Sequence, residues 1–484
     1  MNPSQTEFTN LYCQLSRHFF SEITPEALHE PKLVHHNRTL HDDLQLALSA
    51  SELLDMVSGN GFPAGCRPIA QKYTGHQFGY YNPDLGDGRG VLLGQWRDSN
   101  QQPWDFHLKG CGQTPYSRRG DGRAVLRSAI REHLGGEALH ALGINSTRSL
   151  AICHNLEAVR RETMEPRASY IRIAKTHVRF GHFEWLAQIE DKAGMQLLAD
   201  YVIETVYPHL KAIDAADRYA ELLNTIAHNT AVMIAGWQAV GFCHGVLNSD
   251  NMSVAGETFD FGPYAFMDDF EIHFICNHSD TEGRYAYSQQ PNIGLWNCQL
   301  LAQAFGLLVS EQQQEAALNT YVETYNHEYL QRMRAKIGLQ EPLPEDRELV
   351  ADLLILMDQS QLDFQHFFLQ LADFENEQAC LNAGWPMDSN NWQAWLKRYF
   401  IRRQLELFPE GCSQRIRQHT PLFVLRNYIN QEVIAAAEQG DFDLMDRVFQ
   451  ALGSPFEKVS GVPARYYEPP QSENQKGLIL SCSS

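Results

Sequence analysis

His244-Gly245-Val246-Leu247-Asn248-Ser249-Asp250-Asn251 is followed, nine residues after Asn251, by Asp260-Phe261-Gly262. Asp and Asn supply hard oxygen ligands, the kind that Mg²⁺ or Mn²⁺ takes when substrate phosphates complete its shell. Met252-Ser253-Val254 and Thr258-Phe259 flank Gly256 and read as the two short strands of a hairpin. Such a hairpin carries Asp250, Asn251 and Asp260 on its ends and brings three side chains to one mouth. The plainer alternative is an ordinary turn rich in Asp and Asn.

The spacing resembles the catalytic and metal loops of protein kinases, where H-R-D-x-x-x-x-N precedes D-F-G. Val246 occupies the position of the catalytic Asp in that pattern. A valine accepts no proton, and removing a general base costs a factor of about 10²–10⁴ in rate. Either the site is dead or its chemistry is rearranged. Asp250, four residues after Val246 and beside the metal-binding Asn251, is the candidate replacement base.

Upstream, Gly86-Asp87-Gly88-Arg89-Gly90 precedes the strand-like run Val91–Trp96, and a second run, Asp105–Lys109, ends in a lysine. Glycines let backbone N–H groups approach phosphate, although a plain hairpin turn uses them too. Ala124 to Leu142 loosely matches an amphipathic helix stopped by Gly143, with Glu132 at its middle. A strand lysine needs such a glutamate to act as a fixed charge; a surface lysine and a solvated helix face are the alternative. Arg118, Arg119, Arg123, Arg127 and Arg131 gather around the helix start, and Arg172 and Arg179 lie in and after the strand Ser169–Ala174. A solvated basic face explains many such runs, but Arg172 sits inside an apolar pattern, and guanidinium donors match phosphate oxygens in pairs. Asp121-Gly122, in the turn before the helix, suits holding a ligand or an arginine, or capping the helix.

The 484-residue chain has no strong compositional bias and carries a net charge of −20, which argues against broad nucleic-acid binding. No apolar stretch reaches the roughly 18 residues of a membrane span, and the first residues show no basic region leading into an apolar run. A cytoplasmic protein is expected. Ten cysteines include no C-x-x-C pair, which excludes an obvious zinc knuckle. Cys482, near the C-terminus, is expected to be accessible and therefore oxidisable. From about Lys192 helical patterns dominate, including Tyr219–Val240 and Leu349–Met357, and Gly461 to Ser484 reads as an irregular tail. The expected fold class is α+β: a protein-kinase-like two-lobed fold with a helical C-terminal extension. The expected divisions are residues 1–185, a sheet with one inserted helix; 186–455, mainly helical and carrying the loops; and 456–484, the tail.

Taken together, Tyr73-Thr74-Gly75-His76-Gln77-Phe78-Gly79, Leu85–Gly90, His107–Gly110, Thr114–Arg118, Gly120–Ala124 and the His244 to Gly262 stretch closely resemble the selenoprotein O family, protein adenylyltransferases with a kinase-like fold. The resemblance implies ATP bound in an inverted orientation and transfer of AMP to Ser, Thr or Tyr hydroxyls of proteins with release of pyrophosphate. Carried over by position, Gly86, Gly88, Arg89, Lys109, Asp121, Gly122, Arg172, Arg179 and Asp260 would contact the nucleotide. Glu132 would brace Lys109, Asn251 and Asp260 would hold Mg²⁺ or Mn²⁺, and Asp250 would act as base. Family members can carry selenocysteine where this chain has Cys482, and a redox link to a cysteine after the metal loop makes Cys276 and Cys482 the candidate pair. An inactive ATP-binding scaffold is the alternative function. Protein acceptors are the expected partners, with neither nucleic acid nor membrane; the oligomeric state is left open.

Overall fold

The strands expected at Val91–Trp96, Asp105–Lys109 and Ser169–Ala174 all form, each somewhat longer, and lie side by side in one antiparallel sheet. The structure is a computed structural model that describes residues 7–383, 389–472 and 474–478. In chain order the strands are β1 (Phe20–Glu22), β2 (Lys32–His36), β3 (Ile69–Gln71), β4 (Gly75–Gln77), β5 (Tyr80–Asn82), β6 (Gly90–Arg97), β7 (Pro103–Lys109), β8 (Ala124–Val125), β9 (Arg148–Arg160), β10 (Met164–Ala174), β11 (Phe242–Cys243) and β12 (Ala265–Phe266). The main sheet runs β1-β3-β6-β7-β10-β9-β2, with β8 also paired to β10; β4-β5 and β11-β12 are separate two-stranded pairs. The chain is therefore α+β.

Register explains how the sheet serves two purposes. Tyr170 pairs with Lys109 and Arg172 with His107, so these four side chains share one face. Their neighbours Phe106, Leu108, Ile171 and Ile173 point to the opposite face and pack with Val91, Leu93 and Trp96 in a separate core. The helix Leu126–Ala141 covers the first face and is buried on nearly all sides, because helices Asn427–Glu438 and Asp443–Gly453 pack on it from behind. Its loose amphipathic signature follows from that enclosure.

Three readings need correction. The first 185 residues hold more strands than expected, β1 to β3 being too short to show a period, and more than one helix, since Arg38–Asp43 and Ala50–Ser58 also form. Most of β9 is buried on both faces, which hides its alternation. The helix begins at Leu126 rather than Ala124, because Ala124 and Val125 pair with β10. The expected hairpin around Gly256 is instead a tight loop of single bridges, Met252 to Thr258, Ser253 to Arg179 and Thr258 to Ser146. Its backbone groups bond to three different partners, so no two-stranded ladder extends.

Helices Arg218–Ala239, Asp346–Ser360 and several others account for most of the second half. Among the described residues no helix is long and apolar enough to cross a membrane. Among the described residues beyond Gly461 the one regular element is the 3₁₀ turn Ala464–Tyr467, yet this part is anchored: Tyr466 and Tyr467 are buried, and Asn427 Nδ2 donates to the Leu478 carbonyl at 2.7 Å. Cys482 lies outside the described residues.

Candidate active site

A cleft of about 1180 Å³ opens beside the lysine end of β7 and the loop from His244 to Gly262. Gly86, Gly88, Arg89, Lys109, Asp121, Gly122, Glu132, Arg172, Arg179, Asp250, Asn251 and Asp260 all line it. Two glycines are required by close approach: a Cβ on Gly86 would meet the Tyr116 ring at 2.5 Å, and one on Gly122 the Gly112 carbonyl oxygen at 2.0 Å. Both also have positive φ, at 142° and 68°, where side chains are disfavoured.

At the floor, Asp260 gathers three cations. Its Oδ1 accepts from Lys109 Nζ at 3.0 Å and from Arg172 at 2.5 Å, and its Oδ2 accepts from Arg179. Glu132 Oε2 accepts from Lys109 Nζ at 2.8 Å and from Tyr170 Oη at 2.6 Å, while its Oε1 accepts from Arg172 at 3.0 Å. Glu132 thus braces Lys109, and also Arg172. Burial opposes ionisation of both carboxyls, but the surrounding cations win: Asp260 is held well below the usual carboxylate range, and Glu132 is lowered too. Burial, with Arg172 adding to it, lowers the Lys109 ammonium. Three cations against two carboxylates leave one positive charge in excess. Arg172 and Arg179 each keep a buried guanidinium nitrogen with no partner, at Nη2 and Nε respectively. An unpaired buried donor on a cation is costly, and an anion entering the cleft would satisfy it.

The Asp260 backbone sits at φ 53°, a left-handed conformation that Asp tolerates better than most residues. His244 helps hold it there. Its Nε2–H donates to the Phe259 carbonyl at 2.7 Å, and its ring stacks on Trp237. Burial keeps this imidazole neutral by lowering its pKa.

Asp250 has the opposite surroundings. One oxygen, Oδ2, accepts from Gln77 Nε2 at 3.0 Å; the other, Oδ1, is buried with no partner. Burial pushes its carboxyl up to about 7, against the pull of Arg179, whose guanidinium donates to the Asp250 carbonyl at 2.7 Å. Beside it, Asn251 Nδ2 donates to the Val246 carbonyl at 3.1 Å, so the amide oxygen is its acceptor end. Among the described residues no group of three His, Cys, Asp or Glu stands at metal-ligating spacing. The cleft does hold the Asn251 amide oxygen and the Asp260 carboxylate, hard oxygens that suit a cation taking the rest of its shell from phosphate and water.

Arg118, Arg119 and Arg160 are exposed along the mouth. Asp121 pairs through both oxygens with Arg161, at 2.9 and 3.0 Å, and its Oδ1 also accepts from the Arg123 N–H at 3.0 Å. Arg160 and Arg161 were not singled out in the sequence, nor was the contact of Gln77 with Asp250. The doubled arginine between two apolar runs was the available signal for the former; Gln77 stands in the Tyr73–Gly79 block that carries the resemblance, but nothing in that block points to Asp250. Cys276 does not line the cleft. It is buried beneath the loop, where a Cβ on Gly245 would come within 2.6 Å of its sulfur, and burial pushes its thiol well above the usual range.

A family model described as Protein adenylyltransferase SelO matches residues 3–453. A protein named Protein nucleotidyltransferase YdiU from Hydrogenovibrio crunogenus is 51% identical over 98% of this chain and 99% of its own length. Proteins of the same name from Photobacterium profundum and Vibrio cholerae are 42% and 43% identical, covering 99% and 98% of both chains respectively.

Proposed function

The chain belongs to the SelO family of protein adenylyltransferases and is a nucleotidyltransferase, and from that premise we propose that it transfers AMP from ATP to Ser, Thr or Tyr hydroxyls of proteins. One observation carries the reading: a buried cluster with excess positive charge and unpartnered guanidinium donors stands beside a carboxyl raised to about 7. The cations orient and neutralise the triphosphate, which is how phosphate-transfer sites lower their barriers. Asp250 Oδ1 takes the proton of the acceptor hydroxyl as its oxygen bonds to the α-phosphorus. The bond from that phosphorus to the bridging oxygen breaks, and its electron pair leaves on pyrophosphate. Mg²⁺ or Mn²⁺, when bound through Asn251 and Asp260, supplies further neutralisation of phosphate charge. Val246 lies in the cleft without a role in proton transfer, consistent with a base placed elsewhere.

Incubation with ATP labelled at the α or the γ position tests this. Protein label from the α position alone is the expected outcome. Label from the γ position alone would make the chain a kinase, and no label with nucleotide still bound would return it to an inactive scaffold. Redox control through Cys276 and Cys482 belongs to the same proposal: oxidant should depress transfer in the parent and not in Cys482→Ser.

A further inference from the structure

Polar residues alternate along the end of β7: Asp105, His107 and Lys109 share the face that carries Tyr170 and Arg172 of β10. Lys109 is accounted for by its ion pairs at the cleft floor. Asp105 and His107 are buried as well, and burying a carboxyl or an imidazole is costly unless other groups satisfy it. The partners of Asp105 lead back to the cleft. Its Oδ1 accepts from Gln95 Nε2 at 2.6 Å, and its Oδ2 accepts from the backbone N–H of His177 at 2.7 Å.

His177 lies between β10 and the helix Phe180–Gln188, two residues before Arg179. Its ring is fully buried, stacked on His107 with centroids 4.4 Å apart and met edge-on by Phe259. Its Nε2 accepts from Arg172 Nε at 3.3 Å, which leaves the ring proton on Nδ1, 3.2 Å from Asp105 Oδ2. One tautomer alone satisfies both neighbours. Burial, with the His107 ring and Arg172 adding to it, holds this imidazole well below its usual range and so keeps it neutral.

A guanidinium has five N–H donors. Arg172 Nη1 donates to Glu132 and Asp260, Nε donates to His177, and the group lies over the Phe259 ring at 4.5 Å. Nη2 is buried with no partner among the described residues. A guanidinium held at Nε, at Nη1 and over an aromatic face has its remaining donors aimed before a ligand arrives, which is where preorganised sites gain affinity. The chemistry of the acceptor matters too. A carboxylate at Nε would hold Arg172 as firmly but would cancel the excess positive charge of the cluster; a neutral imidazole holds it without that loss.

We propose that His177 is a positioning residue for the nucleotide: fixed in one tautomer by Asp105, it accepts from Arg172 Nε and so directs Nη2 to a phosphate oxygen of the bound triphosphate. The inference rests on the reading of the cleft as the ATP site.

Binding of ATP with Mg²⁺ and of adenosine, which carries no phosphate, tests it in the parent, His177→Asn, His177→Gln and Arg172→Gln. Measurement at about pH 8 keeps the Asp105 carboxyl, which burial raises to about 7, ionised. Asn retains a donor for Asp105 but stops short of Arg172, whereas the longer Gln brings an amide oxygen to the place of Nε2. His177→Asn should weaken ATP about tenfold, the size of one hydrogen bond to a charged group, and leave adenosine unchanged. His177→Gln should recover most of that loss. Adenosine affinity also reports that each variant is folded. ATP and adenosine weakened alike in both His177 variants would make His177 a packing residue and overturn the proposal. So would ATP affinity unchanged in His177→Asn while Arg172→Gln lowers it. ATP affinity unchanged in Arg172→Gln would instead take Arg172 off the nucleotide and overturn the reading of the cleft itself.

Discussion

Asp250 and Asp260 line one cleft and sit at the two ends of one loop, yet the fold drives their carboxyls in opposite directions. Asp260 is surrounded by Lys109, Arg172 and Arg179 and stays ionised. Asp250 is more removed from water than Asp260, receives one neutral side-chain donor, from Gln77, and is raised to about 7. Burial alone does not set the protonation state; the partners that burial leaves in place do. A site with one fixed anion and one proton acceptor near neutrality has the division of labour that acid–base chemistry needs.

The strongest way to break this contrast is Asp260→Ala. It leaves three buried cations facing one another, so transfer of α-label should fall below detection and stability should drop by about 3–5 kcal/mol, read by label incorporation and by urea unfolding. Unchanged turnover would remove Asp260 from the site. Next in size, Asp250→Asn should slow transfer by about 10²–10⁴ with nucleotide affinity retained, and normal turnover would end its assignment as base. In the parent, kcat should rise roughly tenfold per pH unit up to about 7 and then level off; the Asn variant should lack that limb.

The smallest effect has the sharpest sign. A carboxyl whose folded pKa is raised favours the fold while it is protonated in both states. That contribution erodes as pH rises from the unfolded value near 3.8 through about 7. Asp250→Asn should therefore be more stable than the parent at pH 8, by no more than about 4 kcal/mol, and gain nothing below pH 4. Asp260 follows the opposite rule, its contribution being present above the ordinary carboxylate range and lost as pH falls through its depressed value. Thermal unfolding of each variant across that window distinguishes them; a uniform offset for Asp250→Asn would show that its carboxyl is not raised.

Much of this site was legible before any coordinates. Lys109, Glu132, Arg172, Arg179, Asp250, Asn251 and Asp260 are charged or amide residues within apolar or glycine-rich patterns, and such residues are rarely there without a partner. Their convergence in one cleft follows from strand alternation, which puts Lys109 and Arg172 on the face that Glu132 covers. Less was visible where pairing is non-local. The bracing of Arg172 by Glu132, the Asp121–Arg161 pair and the Gln77 contact join positions 40, 40 and 173 residues apart. No period or spacing encodes them.

The order of residue types along the chain was enough to assign the mixed fold class, the cationic strand ends and the oxygen-rich loop, because local periodicity and donor chemistry are properties of short segments. Which carboxyl keeps its proton near neutrality was decided by tertiary packing alone. Solvent exclusion and charge neighbourhood exist only once distant segments meet.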